Sequence, residues 1–278
     1  MTEESQKEFF LKGLRVLVTR GRGQSAEMTS LLEQAGAIVI HCPTIEIAEP
    51  ESWTGLDAAL AKLENYDWIV FTSANGVDFF YRRLAEKLGP EARLPDRLIT
   101  CAIGPATAKA LRARARVDVV AKDSKAEGAL AAIIKHAGDR EDIRGLRFLI
   151  PRARVARELL PVELTELGAQ VDAVEAYQTL IPDTDGERIK RLITEAPVNV
   201  ITFTSSSTVS NFSVIVGMND LSGLLEKTLV ACIGPITAAT ARDHGLRKII
   251  QPDAYTAAAL VESLIEAIGK SQRGPAMQ

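Results

Sequence analysis

Gly13-Leu14-Arg15-Val16-Leu17-Val18-Thr19-Arg20 recurs 132 residues later as Gly145-Leu146-Arg147-Phe148-Leu149-Ile150-Pro151-Arg152, with five of the eight positions identical. At the same offset Gly36-Ala37 falls on Gly168-Ala169, and residues 69–77 (IVFTSANGV) fall on residues 201–209 (ITFTSSSTV). At an offset of 130, residues 103–108 (IGPATA) match residues 233–238 (IGPITA). About half the chain is therefore duplicated. Solenoid repeats run at 20 to 50 residues, so a period this long indicates two related domains. The 278 residues suit two such domains, since single cores stop growing at roughly 250 to 300 residues.

Within each copy, short β-branched runs alternate with longer amphipathic stretches. Strands are expected at 14–19, 37–41, 67–72, 98–103 and 117–120, then at 146–150, 169–174, 199–204, 229–233 and 248–251. Val77, Phe80, Tyr81, Leu84 and Leu88 are spaced as one face of a helix, and Gly36, Gly89, Gly138, Gly168 and Gly245 stand where helices should end. Strand and helix in alternation give parallel sheets covered on both faces. The fold class is α/β, with two five-stranded doubly wound domains. Two proline-bounded extended segments, residues 42–51 and 175–183, follow the second strand of each copy and read as linkers through which the chain crosses twice.

Composition narrows the function. Apolar residues make up 46% and charged residues 25%, as in a soluble globular chain. The net charge of -3 offers no basic surface for nucleic acid or anionic lipid. Residues 196–219 carry no charge, but Ser, Thr and Asn fill 11 of these 24 positions, which argues against a spanning helix. Cys42, Cys101 and Cys232 form no CxxC pair and predict free thiols; Glu3, Glu4 and Glu8 stand where a signal peptide would be basic. A reducing cytoplasm is expected.

In doubly wound sheets, ligands bind beyond the carboxyl ends of the strands, where helix N-termini present free amides. The duplicated signatures fall there: Thr72-Ser73 and Thr204-Ser205, then Gly104-Pro105-Ala106-Thr107 and Gly234-Pro235-Ile236-Thr237. Glycine permits close approach, proline suits the first helical turn, and hydroxyls stand beside the amides, which suits carboxylates or phosphates. Taken singly, each Ser or Thr is equally well read as an N-cap. Arg20 and Arg152, matched by the repeat, could add bidentate carboxylate contacts; Arg22 and Arg157 read as solvated surface charge.

Several other chemistries fail. Gly21-Arg22-Gly23-Gln24-Ser25-Ala26 fits GxGxxA, but no acidic residue stands about 20 residues on and the second copy lacks the glycines, so a dinucleotide cofactor is not expected. His41, His136 and His244 show no metal-ligand spacing, and no GxSxG elbow surrounds the FTS serines.

Together LRVLVTR, IVFTSANGV, AIGPATA, EAYQT, ITFTSSST and CIGPITA resemble the uroporphyrinogen-III synthase family, from Gly13 to about Ile268. The resemblance implies a cofactor-free, monomeric hydro-lyase that closes hydroxymethylbilane into uroporphyrinogen III with inversion of ring D. It implies two flavodoxin-like domains, about 1–43 plus 180–278 and about 50–174, joined by a two-stranded linker (44–49 and 175–179), with a cleft between them. The sequence leaves this arrangement open against two consecutive halves. The implied proton donor is Tyr177. Thr107, Ser205 and Thr237 match the family's cleft positions, Ser73 follows by repeat symmetry, and Thr72, Gly104, Ser206 and Gly234 complete the expected substrate contacts. Neither nucleic acid nor membrane is an expected partner; transient contact with the preceding pathway enzyme is. A two-lobed, non-catalytic module for a small polycarboxylate is the alternative.

Overall fold

The computed structural model describes residues 10–21, 25–121 and 126–272. The chain divides into two compact units: Met1–Glu46 with Leu180–Gln278, and Ile47–Thr179.

In the first unit, strands β1 (Arg15–Val18), β2 (Ile38–His41), β9 (Val200–Phe203), β10 (Leu229–Cys232) and β11 (Ile249–Ile250) form one parallel sheet in the order β11-β10-β9-β1-β2. The strand period of two sends alternate side chains to opposite faces. Val16 and Val18 pack with Met28 and Leu32 of α1 (Ala26–Gln34) and with Leu260 and Leu264 of α10 (Ala257–Gln272). Leu17, Ile201 and Phe203 pack on the other side, against α7 (Gly186–Glu195), α8 (Ser206–Ile215) and α9 (Pro235–Asp243). Both faces are buried, which is why these strands read as near-continuous apolar runs.

The second unit holds β3 (Glu46–Ala48), β4 (Trp68–Phe71), β5 (Ile99–Ile103), β6 (Val119–Ala121), β7 (Arg147–Ala153) and β8 (Gln170–Leu180), ordered β3-β8-β7-β4-β5-β6. Ile69 and Phe71 face a core shared with α2 (Thr54–Ala61), α3 (Ala74–Leu88) and α4 (Pro105–Arg112). Trp68 and Val70 face the opposite core, with α5 (Ala126–Ala137) and α6 (Leu159–Glu166). The first sheet has the flavodoxin order 2-1-3-4-5; the second, leaving β3 aside, runs 3-2-1-4-5 along the chain and takes the flavodoxin order when counted from β7, a circular permutation of it.

Each sheet draws on both copies of the duplication. Strand β1 pairs with β9 (Leu17↔Ile201), and β4 pairs with β7 (Trp68↔Phe148), so the chain exchanges partners after the second strand of each copy. The strand expected at 169–174 continues unbroken to Leu180. Pairing with β7 reaches Tyr177, and β3 flanks the other edge, so ladder hydrogen bonds hold a segment expected as a linker and make the second sheet six-stranded. Gln178 Nε2 donates to the Glu49 carbonyl at 2.8 Å along the same seam. On α3, Val77, Phe80, Tyr81 and Leu84 are buried as spaced, but Leu88, in the last turn, is exposed.

The cysteines are free and buried; burial pushes Cys42 up to about 11 and Cys101 and Cys232 up to about 12, which keeps them protonated and unreactive at neutral pH. No helix among the described residues is long and apolar enough to cross a membrane.

Helices α2 and α3 are tied by charge. Arg83 donates to both Asp57 oxygens at 2.7 Å, Lys87 reaches Asp57 at 2.7 Å, and the Arg83 guanidinium lies 4.8 Å from the centre of the Trp53 ring. The Arg83 hydrogen bonds, followed by that of Lys87, hold the Asp57 carboxyl down at about 2, below its ordinary value of about 3.9. A depressed carboxyl contributes stability above its unfolded-state value and loses it as pH falls through the folded one. The urea midpoint should therefore fall between about pH 4 and pH 2 more steeply in the wild type than in Asp57→Asn; parallel curves would show that the pair adds nothing.

Candidate functional site

In the second unit, β4 ends at Phe71 and Ser73 opens α3. Ser73 has extended backbone (φ -156°), and its Oγ accepts from the Gly76 N–H at 3.0 Å, so it is an N-cap. The same Oγ lies 3.0 Å from the Tyr177 hydroxyl, and either oxygen can donate. Tyr177 arrives from β8 just past a bulge: Arg152 pairs with Glu175 and Ala153 with Tyr177, leaving Ala176 as the extra residue. A bulge re-aims the side chain that follows it. The Tyr177 ring packs 5.7 Å from Phe79 and the residue is 7% exposed.

A pocket of about 250 Å³ opens at the carboxyl ends of β4, β5 and β7, lined by Thr72, Ile103, Ile150, Arg152 and Leu160 among others, without Ser73 or Tyr177. The structure thus brings Thr72 and Arg152 into one concavity. Arg152 is already engaged: Nη2 meets Glu158 Oε1 at 2.5 Å, and Nη1 is 3.4 Å from the Arg157 carbonyl. A ligand carboxylate would compete with Glu158, which is mostly exposed. Arg157 is exposed, as expected of a surface charge, and also borders this pocket.

At the next strand end, Gly104 is the N-cap of α4 with φ 82°, a left-handed conformation that favours glycine, and Pro105 follows at the first helical position. Thr107 is buried in the first turn. It is not a cap, and no side chain caps this helix.

The first unit repeats the plan with differences. Ser205 caps α8 in a capping box with Thr208: its Oγ accepts from the Thr208 N–H, and Thr208 Oγ1 accepts from the Ser205 N–H, both at 3.3 Å. Ser205 Oγ is also 2.9 Å from Ser207 Oγ. Ser206 Oγ donates to the Ile236 carbonyl at 3.4 Å, joining the start of α8 to that of α9. Gly234 opens α9 without a side-chain cap, and Thr237 is buried in its first turn. The N-cap reading therefore holds for Ser73 and Ser205 and is excluded for Thr107 and Thr237. Arg20, after β1, is half-buried and has no partner among the described residues. Arg22 lies outside the described residues.

Sequence reasoning passed over two features. One is a threonine network below the strand ends: Thr19 Oγ1 donates to the Thr202 carbonyl at 2.6 Å, Thr44 Oγ1 to the Thr19 carbonyl at 3.1 Å, and Asn211 Nδ2 to the Thr44 carbonyl at 2.9 Å. Threonines closing apolar strands were the available signal. The other is Glu175, whose Oε1 is buried without a hydrogen-bond partner among the described residues, two positions before Tyr177. Two of the three histidines make structural contacts: His136 meets Trp68 edge-on at 5.3 Å, and His244 Nδ1 is 2.8 Å from the Asn219 carbonyl, while His41 is exposed. Among the described residues no group of three His, Cys, Asp or Glu side chains is placed to hold a metal ion.

The strand ends of each unit thus offer hydroxyls, uncapped helix amides and an arginine, a set of donors suited to carboxylates. A family model described as "Uroporphyrinogen-III synthase HemD" matches residues 26–262. The uroporphyrinogen-III synthase of Synechococcus elongatus is 33% identical over 88% of this chain and 92% of its own length. A putative uroporphyrinogen-III synthase of Methanothermobacter thermautotrophicus is 31% identical over 91% of this chain and 98% of its own. In fold, the chain is similar to the uroporphyrinogen-III synthetase of Helicobacter pylori, with a TM-score of 0.58 at 14% identity, covering 91% of this chain and 99% of that one. A uroporphyrinogen III synthase mutant from Thermus thermophilus gives the same TM-score, 0.58, at 18% identity, covering 93% and 100%. With a family match over most of its length and relatives of about one-third identity along nearly the whole chain, the protein belongs to the uroporphyrinogen-III synthase family, the cyclising lyases of tetrapyrrole biosynthesis.

Proposed function

We propose that this chain closes hydroxymethylbilane into uroporphyrinogen III, with Tyr177 as the proton donor to the leaving hydroxyl. The observation that carries the assignment is the 3.0 Å contact between the Tyr177 hydroxyl and Ser73 Oγ at a helix N-terminus. With Ser73 O–H donating to the tyrosine oxygen, the tyrosine proton is free for the hydroxymethyl oxygen. As the carbon–oxygen bond breaks, water leaves and the terminal pyrrole becomes an electrophilic azafulvenium cation, whose charge balances the phenolate. The same serine hydrogen bond then steadies the phenolate. Attack by the substituted carbon of ring D gives a spiro intermediate, whose rearrangement inverts that ring; closing the macrocycle releases the last proton, which the phenolate can take back.

Little more chemistry is required, and positioning decides the product. The substrate carries eight carboxylates, and Arg20, Thr72, Ser73, Gly104, Thr107, Arg152, Ser205, Ser206, Gly234 and Thr237 are the proposed contacts. Helix amides and hydroxyls bind carboxylates by charge-assisted hydrogen bonds of about 1.5 to 3 kcal/mol each. The uncapped starts of α4 and α9 support this use, since their amides have no side-chain acceptor. Free cysteines support a cytoplasmic setting. Because the bilane can close unaided to the type I isomer, direct handover from the enzyme that makes it would favour the type III product.

Tyr177→Phe keeps the ring against Phe79 and removes the proton donor, so kcat should fall about 100-fold or more while thermal stability changes little. Near wild-type turnover would remove Tyr177 from the acid role. For Thr107→Ala and Thr237→Ala, loss of one hydrogen bond to a carboxylate should raise KM about tenfold or more. A loss of stability with unaltered KM would assign both threonines to packing. Purified protein given fresh hydroxymethylbilane, without metal, nucleotide or flavin, should yield the type III isomer on oxidation and chromatographic separation of the porphyrins. Type I alone, from folded protein, would leave a carboxylate-binding module.

A further inference from the structure

The two GP turns contain glycine for different reasons. Gly104 needs it for its backbone, with φ 82°, whereas Gly234 has φ -171°, an extended conformation open to any residue. What Gly234 provides is space: a Cβ there would stand 3.2 Å from Cδ1 and 3.4 Å from Cε1 of Tyr255. The Tyr255 ring therefore rests on the N-cap residue of α9. Its other side is open, and the residue is 65% exposed. The next residue, Thr256, stands at the start of α10, where its Oγ1 accepts from the Ala259 N–H at 3.1 Å.

Ile236, two residues beyond Gly234, is 78% exposed. Single exposed apolar side chains are ordinary, but two grouped at the ligand-binding end of a parallel sheet form a platform. The platform adjoins the uncapped amides of α9 and Thr237. At the matching position of the other unit the residue is Ala106, so its α4 start lacks the apolar side chain of Ile236. An apolar surface bordered by carboxylate donors suits a flat ring that bears carboxylates, which describes each pyrrole of the bilane.

We propose that Tyr255 is a substrate-positioning residue, taking the face of one carboxylate-bearing pyrrole on its exposed ring while Ile236 extends the apolar surface. The assignment deepens the function proposed above and rests on it. Aromatic rings stack at offset or edge-on geometries, and removing such a platform weakens binding of a planar ligand by about tenfold. Tyr255 neither donates nor accepts the reacting proton, so its loss should act on binding more than on chemistry.

The test uses the full chain. Tyr255→Ala should raise KM for hydroxymethylbilane about tenfold with kcat within about threefold of wild type, and Tyr255→Phe should recover most of that loss. Gly234→Ala, which displaces the ring without removing it, should shift KM in the same direction. Uroporphyrin III, titrated by its own fluorescence, gives a second reading: its affinity should fall in Tyr255→Ala by a similar factor. Thermal unfolding checks that the variants fold; if Tyr255→Ala does not, Gly234→Ala and Ile236→Ala decide. Unaltered KM and unaltered porphyrin affinity would overturn the proposal. If the wild type makes no type III isomer, the synthase reading fails separately, and the porphyrin titration still decides whether Tyr255 forms a ring-binding surface.

Discussion

The pairing of β1 with β9, and of β4 with β7, is the constraint on which the rest of the structure depends. Each sheet is completed by strands from the other copy of the duplication, so neither copy forms a unit alone. Once those ladders form, helices cover both faces of each sheet, and the apolar residues of every central strand are buried on one side or the other. Polar chemistry is then confined to the strand ends. The exchange also requires two crossings between the units, and the second of these, the end of β8, carries Tyr177.

Two kinds of helix start occupy those strand ends. At α3 and α8 a serine occupies its own helix amides, so Ser73 and Ser205 hold local structure first and can meet a ligand only with their remaining hydrogen-bonding capacity. At α4 and α9 the glycine N-cap has no side chain to offer, and the first-turn amides stay available. The duplication preserved this division in both units while side chains around it diverged: Ala106 against Ile236, and a left-handed glycine against an extended one.

Much of the fold was legible because its signals are local. All ten expected strands are present, and the five glycines expected at helix ends all have positive φ. Repeat matching also singled out strand-end residues that the fold brings together, with Thr72 and Arg152 lining one pocket. Less legible were contacts that depend on distant partners. Nothing near Tyr177 in sequence announces Ser73, which is 104 residues away, or the bulge that re-aims the ring. The threonine network around Thr19 joins three separate segments, and the exposure of Leu88 reflects a helix that outruns its core.

By itself, the sequence determined the duplication, the alternation of strand and helix, the apolar identity of the strands and the chemical types at their ends. These follow from backbone preference and hydrophobic period, which act over a few residues. The tertiary structure decided which copy supplies each strand, that residues 175–179 pair as strand, which serines are spent as caps, and that Tyr255 lies over Gly234. Each of these depends on hydrogen bonds or contacts between segments far apart in the chain. Composition and period carry no record of such pairings, because the same local pattern satisfies its backbone equally well against more than one neighbour.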